Sequence, residues 1–175
     1  MTDLLSSRPL ETESVVQTRT RREAFILAGG KGVRLRPYTT LIPKPLVPIG
    51  DHSIIEIVLR QLAARGFTRA TIAIGHLGQL IRAFVGDGSQ WGIEVEYAHE
   101  DCPLGTIGPA LFDLDQRPEH FLIMNGDILT DLPYDALLDA HSQSGAPLTV
   151  ATYEREHKVD FGVLDVDGRS IVQFR

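Results

Sequence analysis

F-I-L-A-G-G-K-G-V-R-L-R-P-Y-T-T-L-I-P-K-P-L, Phe25 to Leu46, is the stretch whose reading decides the fold. Its first residues, with Ala24 before them, form a short apolar run to Ala28 that reads as a buried strand. Gly29, Gly30 and Gly32 follow at once. Glycines lose more chain entropy on folding than other residues, so three together need a compensating gain. The usual gain is a row of N–H groups that an anion can approach closely, since no Cβ stands in the way. Lys31, Arg34 and Arg36 sit in the same loop, and Lys44 follows between two prolines. A glycine-lined concavity ringed by cations has the chemistry of a phosphate cradle. A glycine turn with solvated basic residues would have the same composition.

Two familiar cradles are excluded by spacing. A Walker loop needs four residues between its first glycine and Gly-Lys-Ser/Thr, and none is spaced so here. The dinucleotide fingerprint would start at Gly30 and Gly32, but Leu35 stands where its third glycine belongs. What remains is G-G-x-G-x-R-L-x-P followed by P-K-P-L. This pattern resembles the signature loop of the sugar-1-phosphate nucleotidyltransferases, with Val33 where the family usually has Thr. The resemblance implies that Leu27, Ala28, Gly29, Gly30, Lys31 and Gly32 contact a nucleotide. It implies further that Arg34 holds the leaving phosphates and that Lys44 neutralises the α-phosphate.

The 175 residues suffice for one domain with a real core. A net charge of −6 argues against a nucleic-acid partner, since such domains are typically basic. A single cysteine, Cys102, rules out an internal disulfide framework and suits a reducing cytoplasm. No apolar run reaches the length of a membrane span, and the N-terminus lacks the apolar core of a secretory signal. Residues 1–22 are polar and without periodicity, and read as a disordered or loosely attached extension. Residues 23–175 read as the domain.

Beyond the glycine loop, Ser53 and Glu56 form a capping box before the apolar face Ile54, Ile55, Val58, Leu59 and Leu62, with Gly66 to end the helix. A strand is expected over Ala70–Ile74, a helix over Leu77–Val85, a turn at Gly86-Asp87-Gly88 and a strand over Ile93–Tyr97. A helix over Thr106–Leu114, a strand over Phe121–Met124 and a helix from Pro133 to Gly145 come next. Leu148–Tyr153 reads as a further strand, and Asp167-Gly168 as the turn of a hairpin between Phe161–Val166 and Ser170–Phe174. Alternating helices and fully apolar strands predict a three-layer α/β fold, its mostly parallel sheet carrying helices on both faces. This is the Rossmann-like arrangement of the family that the loop resembles.

Ligands of such sheets bind at the carboxyl ends of the strands, where the glycine loop and Asn125-Gly126-Asp127 should both emerge. A carboxylate at the mouth of a buried strand either caps a turn or holds a cation. The N-G-D resembles the family's metal-binding segment, which implies Mg²⁺ on Asp127 and sugar contacts at Gly126. Glu100 to Gly108 resembles the L-G-T-A-G loop, implying base contacts through Glu100, Gly105 and Thr106, with Ile107 a bulkier departure. A carboxylate at Glu100 only accepts hydrogen bonds, which suits the two adjacent N–H donors of guanine better than uracil or thymine. Gln79 is a second polar candidate near the base, or an exposed helix residue. Asp160-Phe161-Gly162-Val163 resembles the Y-G-V-V segment, implying that the Gly162 backbone approaches the sugar.

The expected reaction is transfer of a nucleoside monophosphate from a triphosphate, GTP favoured, to a sugar 1-phosphate such as mannose 1-phosphate. Thymidylyl or uridylyl transfer, and a catalytically silent nucleotide-binding module, are the alternatives. The resemblance runs from Ala24 to Arg175, where the family continues into an E-K-P segment, so the domain is expected to be incomplete at its C-terminal end. Oligomeric state stays open, a homo-oligomer included.

Overall fold

The computed structural model of the protein describes residues 21–30, 32, 35, 37–99, 108–111, 117–156 and 162–174. The chain divides into two compact units, one reaching to Gly145 and one starting at Ala146. The first unit runs through β1 (Glu23–Leu27), a small hairpin of β2 (Pro48–Ile49) and β3 (His52–Ser53), and α1 (Ile54–Ala64). It continues with β4 (Arg69–Ile74), α2 (Gly78–Val85), β5 (Glu94–His99), β6 (Leu122–Asn125) and α3 (Tyr134–Ser144).

Strands β5, β4, β1 and β6 form one sheet in that order, and every pairing is parallel. Parallel strands covered on both sides carry continuous apolar runs, as β1 and β4 do. Side chains alternate across the pleat. Ala24, Ile26, Ala70, Ile72 and Leu122 face a core shared by all three α-helices, through Leu59 and Leu62 of α1, Ile81 and Val85 of α2, and Leu138 of α3. Phe25 and Ala73 face the other way, onto Ala110 of a 3₁₀ turn, Gly108–Leu111. Helical cover is thus thick on one face, while among the described residues the opposite face is covered by that turn, by Phe121 and by the Arg117 guanidinium, which lies 4.7 Å over the Phe25 ring. The helix expected over Thr106–Leu114 otherwise lies outside the described residues.

Helix α1 forms where the sequence expects it. Ser53 caps it, its Oγ accepting from the Glu56 N–H at 3.3 Å. Five apolar side chains, Ile54, Ile55, Val58, Leu59 and Leu62, are buried. At about 2 kcal/mol each that burial is worth on the order of 10 kcal/mol before chain entropy is counted. Gly66, at φ +78°, takes the left-handed conformation just past the end. Glu56 does not complete the reciprocal half of the box: its carboxylate receives His52 Nδ1 and Arg60 Nε, each at 2.9 Å. Burial pushes this carboxyl upward, but the Arg60 hydrogen bond and the His52 contact outweigh it, so its pKa lies below the ordinary glutamate value.

The second unit holds the expected antiparallel hairpin, β7 (Leu164–Asp167) and β8 (Ser170–Phe174), but its turn is Gly168-Arg169, one residue later than expected, because Asp167 pairs with Ser170 in the ladder. The expected strand over Leu148–Tyr153 is absent: residues 148–153 carry no strand pairing. A strand exists only through its ladder, and β-branched composition supplies none.

Candidate functional site

Strands β1 and β6 are neighbours, with Leu27 opposite Asn125. The Gly126 N–H donates to the Leu27 carbonyl at 2.9 Å, and the Ala28 N–H donates to the Ala73 carbonyl at the same distance. Gly29, Gly30 and Asn125-Gly126-Asp127 therefore leave the sheet side by side, at its carboxyl edge. Gly126 is required by closeness, since a Cβ there would fall 3.0 Å from Ile26 Cγ2 and 3.3 Å from the Leu27 carbonyl.

The glycine turn is held from two further sides. Gly75, following β4, lies so close that a Cβ would stand 3.0 Å from the Gly29 carbonyl. Gly32 adopts φ +58°, and its carbonyl accepts the Leu35 N–H at 3.0 Å and the Thr39 hydroxyl at 2.6 Å. Gly30 differs from these: a Cβ there would meet nothing within 4 Å. Among the described residues, no neighbouring atom demands glycine at that position.

Lys44 is presented by a stiff segment. Pro43 and Pro45 flank it, fixing φ on both sides, and Pro45 is buried. The Leu46 N–H returns to the Pro43 carbonyl at 2.9 Å, and the Ile54 N–H to the Val47 carbonyl at 3.2 Å, which ties this segment to α1. The Lys44 ammonium pairs with the Asp127 carboxylate. The two side chains are 34% and 31% exposed, so both remain accessible to water and solutes. An ion pair this exposed is worth at most about 1 kcal/mol, which leaves it exchangeable.

The structure thus brings together Leu27, Ala28, Gly29, Gly30, Gly32, Lys44, Gly126 and Asp127. Gln79 is exposed in the first turn of α2. Leu77, which caps that helix, has φ +58° and is the sole non-glycine residue with positive φ among those described. Such a backbone is strained for leucine by roughly 1–2 kcal/mol. Gly162 belongs to the second unit, where it lies against the Phe174 ring. Lys31, Arg34, Glu100, Gly105 and Thr106 lie outside the described residues. Among the described residues, no three His, Cys, Asp or Glu side chains converge as a metal site. No helix of the described residues is long and apolar enough to cross a membrane.

Two residues of this edge escape sequence reasoning. Gly75 ends an unremarkable strand, and Thr39 is one of two adjacent threonines in the quoted stretch; no spacing rule distinguishes either of them.

The family model described as nucleotidyl transferase matches residues 23–175. The catalytic subunit beta of mannose-1-phosphate guanylyltransferase from Danio rerio is 33% identical over 152 residues, 85% of this chain and 42% of that protein. Mannose-1-phosphate guanyltransferase from Candida albicans is 31% identical over 148 residues, covering 81% and 40%. The chain spans about two fifths of the length of these relatives. Among solved structures, HddC from Yersinia pseudotuberculosis complexed with GMP-PN superposes with a TM-score of 0.67 at 25% identity, over 87% of this chain and 68% of that one. UDP-glucose pyrophosphorylase complexed with UDP-glucose, at 18% identity and a TM-score of 0.55, covers 71% of this chain and 54% of that one and shares the fold. With the sheet order, the glycine turn and the family match in agreement, the chain belongs to the nucleotidyl transferase family.

Proposed function

We propose that residues 23–175 are the nucleotide-binding part of a sugar-1-phosphate nucleotidyltransferase. The observation that carries this reading is the Lys44–Asp127 pair beside the open glycine turn, one exchangeable cation and one carboxylate at the edge where α/β sheets bind ligands. Resemblance to guanylyltransferases, together with the acceptor-only carboxylate of Glu100, favours GTP and mannose 1-phosphate over the thymidylyl and uridylyl alternatives.

In the reaction a phosphate oxygen of the sugar 1-phosphate attacks the α-phosphorus of the triphosphate. The bond from that phosphorus to the bridging oxygen breaks, and pyrophosphate leaves. The nucleophile is already ionised, so no side chain needs to remove a proton. The work of the protein is positioning and charge stabilisation. Main-chain N–H groups of the glycine turn receive phosphate oxygens. Lys44 sets its ammonium against the α-phosphate, and Arg34 holds the leaving phosphates.

Asp127 fits a divalent cation. Its oxygens are hard donors, about one-third exposed, and already stand against a positive charge, that of Lys44. Among the described residues no group of three acidic, imidazole or thiol side chains converges there, so Asp127 is the residue that would hold the cation. Mg²⁺ bound there would neutralise phosphate charge as a Lewis acid. On ligand binding the Lys44 ammonium would exchange the Asp127 carboxylate for phosphate, leaving that carboxylate free to hold the cation.

The test offers GTP, dTTP, UTP, CTP and ATP in turn, with mannose 1-phosphate or glucose 1-phosphate and Mg²⁺, and measures pyrophosphate release. Release with GTP and mannose 1-phosphate is expected. Triphosphate binding without release would reduce the chain to a nucleotide-binding module, and no binding at all would overturn the reading.

A further inference from the structure

We infer that Thr39 is a positioning residue of the nucleotide site, its hydroxyl holding the glycine turn at the correct distance from Lys44; this rests on the reading above. Thr39 is 3% exposed, and its Oγ1 donates to the Gly32 carbonyl at 2.6 Å. The fit is reciprocal, since a Cβ on Gly32 would fall 3.0 Å from Thr39 Cγ2. Glycine at 32 thus makes room for the threonine that grips it.

Thr39 has its own backbone in a different piece of chain. It lies in the 3₁₀ turn Tyr38–Thr40, closed by the Thr40 N–H to the Pro37 carbonyl at 3.1 Å. That turn leads directly into Pro43 and Lys44. One buried hydroxyl therefore links the two elements assigned to the triphosphate, the amide-bearing turn and the segment that presents the ammonium. Removing it leaves the Gly32 carbonyl one of its two donors, the Leu35 N–H, and so should loosen the turn without dismantling it.

The experiment compares Thr39→Val, which keeps the shape and deletes the hydroxyl, with Thr39→Ser, which keeps the hydroxyl. Binding of Mg–GTP and Mg–dTTP to the wild-type chain is measured by calorimetry, and the tighter of the two is used for the variants. Thr39→Val should weaken binding about tenfold, the equivalent of one hydrogen bond, with Thr39→Ser within about twofold of wild type. The fitted quantities separate positioning from mere folding: lost folded protein lowers the number of sites and leaves Kd unchanged, whereas a misplaced turn changes Kd itself. Should Thr39→Val not fold, Thr39→Ala takes its place against Thr39→Ser. A Kd for the hydroxyl-free variant equal to wild type, or a serine variant as weak as the valine, overturns the inference. A wild-type chain that binds neither triphosphate overturns the nucleotide reading instead.

Discussion

At the amino end of the four-stranded sheet, charged side chains close on one another. Arg21 pairs with the buried Glu23 at 2.6 Å, and Arg69 reaches Glu96 at 2.6 Å and Glu94 at 3.5 Å. Arg22 binds Asp139 at 2.8 Å and the Arg65 carbonyl at 3.2 Å. At the carboxyl end the same strands run out into Gly29, Gly30, Gly75 and Gly126, with the Lys44–Asp127 pair beside them. The materials are opposite. One end spends its charges on neighbouring strands and helices, and its groups serve the fold. The other carries one ion pair beside a cluster of glycines, at the edge where sheets of this class bind their ligands. On the proposed reading, position along a strand, rather than the number of charges, separates the polar groups that serve the fold from those offered to a ligand.

The largest expected effect lies at the carboxyl end. Lys44→Ala should lower the turnover measured by pyrophosphate release about a hundredfold or more, the usual consequence of deleting one charge-stabilising group, while the fold persists. A near-normal rate would erase the contrast between the two ends. A smaller effect is expected from Gly75→Ala. The added methyl must push the Gly29 carbonyl, and triphosphate affinity should fall roughly tenfold, about 1.4 kcal/mol, when titrated by calorimetry. Unaltered affinity would mean that the turn tolerates displacement. The smallest effect belongs to the amino end. Arg69→Met should cost about 1 kcal/mol of stability, a melting point lower by several degrees, because ion pairs at this exposure contribute little. Triphosphate affinity should be untouched; any weakening there would show that the two ends are coupled through the sheet.

Much of the fold was legible in advance, and the reasons are local. α1 announces itself by Ser53, the helical spacing from Ile54 to Leu62, and Gly66, each acting within a turn or two of chain. The hairpin around Asp167-Gly168 is likewise a matter of neighbouring residues. Leu148–Tyr153 failed as a strand because pairing is not a local property. For the site, the glycine turn and Asp127 could be named from spacing and resemblance. Gly75 and Thr39 could not, since each matters through one contact with a glycine elsewhere in the chain.

By itself, then, the sequence determined the turn after β1, the stiff Pro43–Lys44–Pro45 segment and the carboxylate after β6, because each depends on residues within a few positions. Only the tertiary structure decided that β1 lies beside β6, and hence that Lys44 meets a carboxylate 83 residues away. Strand order is set by burial of the whole sheet against its helices, a long-range balance that no short stretch of chain contains.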